Sequence, residues 1–552
     1  MTSRSVSVRG LAAIAAVCAL ACLGAASAGA AQLAVVATEE GHSVSIVNTA
    51  TNQVVGRPIE VGKGAASVAV TPNGRYAYVA DALGESVSVV DIAARRNVAT
   101  IEVGNTPFGL AISPDGSHVY VTDRGSEEVS VIDTQTRQVV RAIDIPPISR
   151  PTGVAISPDG KRAYVTEAGA DSVQAIDVAS METLGKPIEV GESPAGVEFT
   201  PDGKTAYVVD QGGDEVSAID TATRKVTSIP LNGGEEPRGI VVSPDGRKAF
   251  VVNLLSDSVS VIDTATNKAI KEIPVGAGPQ EVGITATGKT VYVTERGRGP
   301  TLTPQVQRID VETGAVVGSP IAIPGEFPSG IALTPDQSPT AVFTPPTATV
   351  GIPAAFDGAG STDPDGAIAS WKWAFGDGWI AEGANVSHTY SGPGTYNAEL
   401  SVVDDEGCGE RQVFTGRTAY CSGNPLAKAV HPVEVKAPMP PPPACSAKFH
   451  FGGLIHKRKN GTARLQVKLP AAGSVFLFGK KVHAVRRKIK KAGSLWLTIH
   501  ARVELNKRLK KIHRARVRVR VTFTPNAGCG SKTMHRSFAL LRARKHRHHH
   551  HR

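Results

Sequence analysis

An all-β chain, a seven-bladed β-propeller followed by two β-sandwiches, is the architecture this sequence predicts. Three observations predict it: a unit of four β-branched runs recurs every 42 to 44 residues, turn clusters rather than helical spacing separate the runs, and the two ends of the array are complementary pieces of one unit.

The unit is clearest from Pro151 to Glu192, PTGVAISPDGKRAYVTEAGADSVQAIDVASMETLGKPIEVGE, which reads as four short strands and no helix. Its first-turn proline recurs at Pro72, Pro114, Pro158, Pro201 and Pro244, and again at Pro335, with the degenerate copy Thr285-Ala286-Thr287-Gly288 between. The third strand ends at Asn48, Asp91, Asp133, Asp177, Asp220, Asp263 and Asp310, giving seven copies. Four strands per 40 to 45 residues is the period of propeller blades. The first copy starts at its second strand, Leu33 to Thr38, and the strand it lacks stands alone at Gly330 to Asp336. Pairing these two would close the ring and leave no open edge.

Most recurrent residues of residues 32–336 have turn or packing explanations. Asp115, Asp159, Asp202 and Asp245 sit in Pro-Asp-Gly turns, and the Asp ending each third strand accepts local backbone N–H groups. Positions that vary between blades speak more to function. The loop entering each innermost strand and the turn leaving each second strand share one face of a propeller. The first set is Ala66, Phe108, Thr152, Ala195, Arg238, Gln280 and Ser329; the second is Asp81, Asp123, Glu167, Asp210, Asn253 and Glu295. Together they are expected to ring the channel mouth with acids, interrupted by Phe108 and Arg238, while Glu281 replaces a small residue. Such a rim would focus negative potential and favour cations, sugars or basic peptides, and the plainer reading is that the acids cap turns. No Gly-x-Ser-x-Gly elbow, His-Glu-x-x-His helix or phosphate loop occurs, and the only histidines of this segment, His42 and His118, are at non-equivalent positions.

The runs Tyr78-Val79-Ala80-Asp81, Tyr120-Val121-Thr122-Asp123, Tyr164-Val165-Thr166-Glu167, Tyr207-Val208-Val209-Asp210 and Tyr292-Val293-Thr294-Glu295 closely resemble the YVTN family of seven-bladed propellers. That resemblance implies the fold, and roles scattered over surface-layer components, lactonase-like enzymes and nucleic-acid binders. Residues 337–437 resemble the PKD domain, an immunoglobulin-like β-sandwich, through Asp363-Pro364-Asp365-Gly366, Trp373-Ala374-Phe375-Gly376-Asp377-Gly378, His388-Thr389-Tyr390 and Pro393-Gly394-Thr395-Tyr396. Ala374 stands where the family usually has Asp, and an insertion carries Cys408 and Cys421. The resemblance implies extracellular spacing and protein or polysaccharide contact. Asp363, Asp365, Asp404 and Asp405 offer oxygens of the kind calcium takes, but no cofactor is expected.

Charge divides the chain. Residues 32–336 carry net −14, 337–437 net −6, and 438–552 net +28, with Glu504 as the one acid against 29 Lys and Arg. Residues 1–31 read as a secretory signal peptide: Arg4 and Arg9, an apolar run from Leu11 to Leu23, then small residues; lipid attachment at Cys22 is the weaker reading. No segment approaches the ~20 apolar residues of a membrane span. Export makes disulfides the natural use of Cys408, Cys421, Cys445 and Cys529; of three pairings, domain boundaries favour Cys408 with Cys421 and Cys445 with Cys529. Residues 438–444 form a Pro-rich spacer. Residues 445–540 alternate as strands of a second immunoglobulin-like sandwich, and 541–552 form a basic, His-rich solvated tail. Arg514, Arg516, Arg518 and Arg520 share a strand face, which with Arg486, Arg487, Lys488, Lys507 and Arg508 would attract a polyanion. Phe449, Phe451, Phe476, Phe478 and Trp496 are expected mostly in the core.

These readings combine into a secreted, cell-surface, non-enzymatic binding or scaffold protein, attached to anionic envelope polymer or polysaccharide and open to a protein ligand. A lactonase-like hydrolase and an extracellular nucleic-acid binder are the alternatives.

Overall fold

A computed structural model describes residues 32–297, 303–325, 327–439, 446–526 and 529–544; the expected signal peptide and His-rich tail lie outside them. The chain divides into two compact units, 1–437 and 438–552.

Seven sheets form the propeller. Blade 4 is typical: Pro151–Ile156 innermost, then Arg162–Glu167, Ser172–Asp177 and Glu182–Glu189, all antiparallel. Blades 2, 3, 5, 6 and 7 repeat it from Ala65, Pro107, Pro194, Pro237 and Pro279. Blade 1 is composite. Its innermost strand is Pro328–Leu333, paired antiparallel with Leu33–Thr38 through Ala34↔Leu333, Val35↔Ala332 and Val36↔Ile331. The ring is thus sealed by strands from opposite ends of the repeat array, as the incomplete first copy requires.

Between blades the core is β-branched and aromatic. Tyr78, Tyr120, Tyr164, Tyr207 and Tyr292, with Phe250 in the sixth blade, are all fully buried. Turn carboxylates behave as sequence chemistry predicts: Asp91, Asp133, Asp177, Asp220, Asp263 and Asp310 each accept a backbone N–H three residues on, at 2.7–2.8 Å.

The PKD domain packs Trp373, Phe375, Phe356 and Tyr390 at its centre, all 1% exposed. Its insertion folds as a small hairpin, Val413–Phe414 with Ala419–Cys421, clamped by the Cys408–Cys421 disulfide.

The second unit is a sandwich around one core. Sheet one holds His450–Lys457, Thr462–Leu469 and Gly493–Ile499; sheet two holds Val482–Ile489, Gly473–Gly479, Arg514–Pro525 and Lys532–Leu541. Sequence patterning did not show the helix Val503–Ile512, whose Leu505 and Leu509 enter the core and whose polar remainder carries Lys507 and Arg508. Cys529 is disulfide-bonded, and its expected partner Cys445 lies outside the described residues.

Candidate functional site: the propeller channel and its two ends

The six side chains expected to ring the mouth are withdrawn from it. Asp81, Asp123, Glu167, Asp210, Asn253 and Glu295 are at most 1% exposed. Each lies folded under its own turn. Ser88 and Ser86 donate to Asp81 at 2.8 and 3.0 Å, Ser130 to Asp123 at 2.6 Å and Ser217 to Asp210 at 2.7 Å. Ser172 donates to Glu167, and Gln305 to Glu295 at 2.7 Å. Asn253 shows the motif without charge, its Nδ2 donating to Ser258 and Ser260 at 3.0 and 2.9 Å. Burial pushes Asp81 up to about 6 and Asp123 and Asp210 to about 7, against the hydrogen bonds that oppose it. Glu167 and Glu295 move the same way for the same reason. The reason is physical: the third strand paired with each second strand carries the donors, Ser86 and Ser88, Ser130, Ser172, Ser217 and Gln305, so the strand-ending acid turns inward to them rather than out to solvent.

What remains at the mouth is an exposed ring, three guanidinium groups and one carboxylate, Glu236, paired with Arg238. Phe108, second in its innermost strand, is 36% exposed, with the Arg124 guanidinium 5.8 Å from its ring centroid. Desolvation, and after it the nearby charges of Arg150 and Arg238, lower the pKa of Arg124. Arg238 donates to Glu236 at 2.9 Å and to Gln280 at 3.1 Å. Glu236 also accepts from Gln211 at 2.7 Å, and these donors together with the charge of Arg238 hold it below the usual carboxylate range despite partial burial. Ala66, Ala195 and Ser329 are half-buried, and Thr152 is buried, its hydroxyl donating to Arg150 O at 3.0 Å.

The opposite end is closed by the PKD hairpin. Backbone N–H groups at the ends of three innermost strands donate to its carbonyls: Phe199 to Thr415 at 2.6 Å, Ile156 to Gly416 at 2.8 Å and Ile112 to Arg417 at 3.1 Å. Tyr420 returns a hydroxyl bond to Val242 O at 2.7 Å, and Val70 N–H donates to Thr418 Oγ1 at 3.2 Å. Gly416 is required there. Its φ is +149°, and a Cβ would stand 2.8 Å from the Ala155 Cβ. At the tip, Arg417 pairs with Glu281 at 2.9 Å and Glu198 at 3.4 Å, and donates to Ile240 O at 3.1 Å. Thr415 donates to Glu198 as well. Burial raises Glu198 to about 7, with Arg417 pulling against it. Glu281, expected at the mouth, is therefore committed to the plug.

Sequence reading missed Arg124, Arg150, Glu198 and Arg417. The signal for Glu198 was present, since equivalent positions in the other blades are Ala69, Ala111, Ala155, Val241, Gly283 and Ala332. Two carboxylates among small channel-wall residues demand a cation, and the PKD insertion supplies it.

Acids gather where the propeller meets the PKD domain. Asp336, Asp404 and Cys408 offer atoms within 4.8 Å of one another, as do Asp363, Asp405 and Glu406. Asp336 Oδ2, Asp404 Oδ2, both Asp363 carboxylate oxygens and Glu406 Oε2 are buried without a hydrogen-bond partner. Burial and mutual repulsion push Asp336 to about 9 and Glu406 to about 7. The Cys408 sulfur is held in its disulfide, so the available donors are oxygens, suited to a hard divalent cation.

In the second unit Arg514, Arg516, Arg518 and Arg520 are exposed on one strand, Arg486, Arg487 and Lys488 lie exposed on another strand of the same sheet, and Lys507 and Arg508 belong to the helix. Among the described residues no helix is long and apolar enough to cross a membrane.

This is a seven-bladed β-propeller joined to a PKD domain, and comparison with known proteins agrees. A model of the lactonase family, seven-bladed β-propellers, matches residues 30–144 and 189–344; a YNCE-like β-propeller model matches 94–205; a PKD domain model matches 336–418. A microbial collagenase of Vibrio alginolyticus is 36% identical over 93 residues, 17% of this chain and 11% of that protein. Collagenase ColA of Clostridium perfringens is 42% identical over 52 residues, 9% of this chain and 5% of that one. The chain thus spans a small fraction of these relatives. Among solved structures, hydrazine synthase of Kuenenia stuttgartiensis aligns with TM-score 0.44 and 27% identity over 52% of this chain and 91% of that one. A putative 6-phosphogluconolactonase of Bacteroides uniformis aligns with TM-score 0.47 and 17% identity over 55% and 99%.

Proposed function

We propose that the protein is an exported, cell-surface-associated binding or scaffold protein without catalytic turnover. The propeller recognises a ligand at its open mouth, and the basic C-terminal unit attaches to anionic envelope polymer or polysaccharide. The observation that carries this reading is the sealing of one channel end by the Arg417 hairpin, which leaves a cup whose open end carries Phe108, Arg124 and Arg150, with Arg238 already paired to Glu236. Guanidinium groups beside an exposed ring fit a ligand with a carboxylate, sulfate or phosphate and a flat apolar part against Phe108. The sign of the expected ligand is therefore the reverse of that suggested by an acidic rim. Export is supported by the leader pattern of residues 1–31 and by the Cys408–Cys421 disulfide.

A lactonase-like hydrolase would draw on carboxylates near Arg238. Asp210 and Glu295 are enclosed in their turns, and Glu236 is held ionised by Arg238, which suits anchoring better than proton donation. The test is a calorimetric panel of anionic, neutral and cationic ligands on the full chain, with lactone turnover measured in parallel. The reading expects binding of anionic ligands that R124Q/R238Q weakens at least tenfold, and no turnover. Turnover that R238Q abolishes would favour the hydrolase.

A further inference from the structure

The outward face of the four-stranded sheet in the C-terminal unit is more than a row of charges. Along Arg514–Pro525, Ala515, Val517, Val519, Val521 and Phe523 turn into the core while the four arginines stay exposed. On the neighbouring strand Gly473–Gly479, Val475 and Leu477 take the inward positions, which thrusts Phe476 and Phe478 outward, 38% and 41% exposed. The expectation that both rings belong to the core is corrected by this register. Phe476 lies opposite Thr522 and Phe478 opposite Arg520. The two rings stack in water, 6.4 Å apart and 20° from parallel. Cations flank them on both sides. The Arg486 guanidinium sits 5.5 Å from the Phe476 ring centroid, and Arg520 Nε donates to His535 Nε2 at 3.3 Å. The single acidic side chain of this unit, Glu504, stands on the helix 3.8 Å from Lys507, and among the described residues no carboxylate pairs with the arginine row.

We infer that this face binds single-stranded nucleic acid, with bases stacking on Phe476 and Phe478 and phosphates pairing with Arg486, Lys488, Arg518 and Arg520. A four-stranded sheet that offers aromatic rings from its strands, bordered by arginine, supplies both parts of single-strand recognition. An anionic polymer without rings would use the arginines and leave the phenylalanines in water. A duplex keeps its bases stacked inside and presents none to them. The inference rests on the same premise as the proposed envelope attachment, that this unit binds polyanions, and adds single-stranded nucleic acid as the polyanion that its ring-bearing face takes.

The experiment is fluorescence anisotropy of the full chain with a short labelled oligothymidylate, against competition by heparin as the ring-free polyanion, over roughly 50–200 mM salt. F476A/F478A is expected to weaken the oligonucleotide at least ~10-fold while moving heparin less than about twofold. R518Q/R520Q is expected to weaken both probes and flatten their salt dependence. Because both rings are solvent-exposed, an unchanged unfolding midpoint is expected to confirm that F476A/F478A folds. Equal effects of F476A/F478A on the two probes, or no effect on either, overturn the single-strand inference. Insensitivity of both probes to R518Q/R520Q overturns the polyanion reading itself.

Discussion

Replacing Arg417 by Met removes the cation paired with Glu198 and Glu281 at the plugged end of the channel while nearly keeping the side-chain volume. Glu198 and Glu281, whose side chains are 4% and 19% exposed, then face each other's field without a counter-charge. Breaking a buried ion pair from one side costs about 3–5 kcal/mol, and the lost bond to Ile240 O falls within that figure. The cost depends on pH. Glu198 already has a folded pKa of about 7, above its ordinary carboxylate value, because burial outweighs Arg417. A raised folded pKa means that the native state holds a proton the unfolded chain has released, so stability falls as pH rises through that window. Without Arg417 the window extends upward. R417M is therefore expected to lose more at pH 8 than at pH 5, and R417M/E198Q/E281Q to recover most of the loss at both. Urea unfolding of the full chain, followed by tryptophan fluorescence, measures it, because Trp371 and Trp373 belong to the domain that supplies the hairpin. A loss below about 1 kcal/mol, or one that does not grow with pH, would refute the plug as a charge-compensated seal.

Other consequences follow from the same groups. Asp123 and Asp210, raised to about 7 by burial, destabilise the native state as pH climbs from their ordinary value toward 7. Converting each to Asn, the arrangement already present at Asn253, is expected to raise stability at pH 8 by ~1–3 kcal/mol and leave it unchanged at pH 4. Urea midpoints across pH check this, and a loss at pH 8 would contradict it. C408A/C421A opens the 13-residue clamp of the hairpin and is expected to cost about 3 kcal/mol in the same assay. A change under 1 kcal/mol would mean that the propeller alone holds the hairpin in place.

The fold was legible because a repeat repeats its errors too. Seven copies of one register outvoted the degenerate turn at Thr285, and the missing first strand named its own partner at Pro328–Leu333. Local chemistry was equally readable: every third-strand Asp does what an acid before Thr-x-Thr or a similar turn does. The mouth is less legible because a strand's period of two gives the face of a residue but not how deep its end lies, and Ser88 and Ser130 draw Asp81 and Asp123 out of solvent. Arg124 was within reach of the same comparison made one residue later, where the blades carry Ala82, Arg124, Ala168, Gln211, Leu254 and Arg296. The plug was harder. Its partners are separated by 136 residues between Glu281 and Arg417 and 219 between Glu198 and Arg417, and only the unexplained channel-wall charges hinted at it. Phe476 and Phe478 belong to a set of aromatic residues whose phase points mostly to the core, and the inward alternation of Val475 and Leu477 turns these two outward.

The cup with a cationic mouth is tested most directly by hydrogen–deuterium exchange of the full chain with and without an anionic ligand taken from the calorimetric panel. Protection confined to the segments around Phe108, Arg124, Arg150 and Arg238, lost in R124Q/R238Q, is the predicted result. Protection instead at the hairpin around Arg417, or binding of a cationic ligand that R124Q/R238Q strengthens, would contradict it.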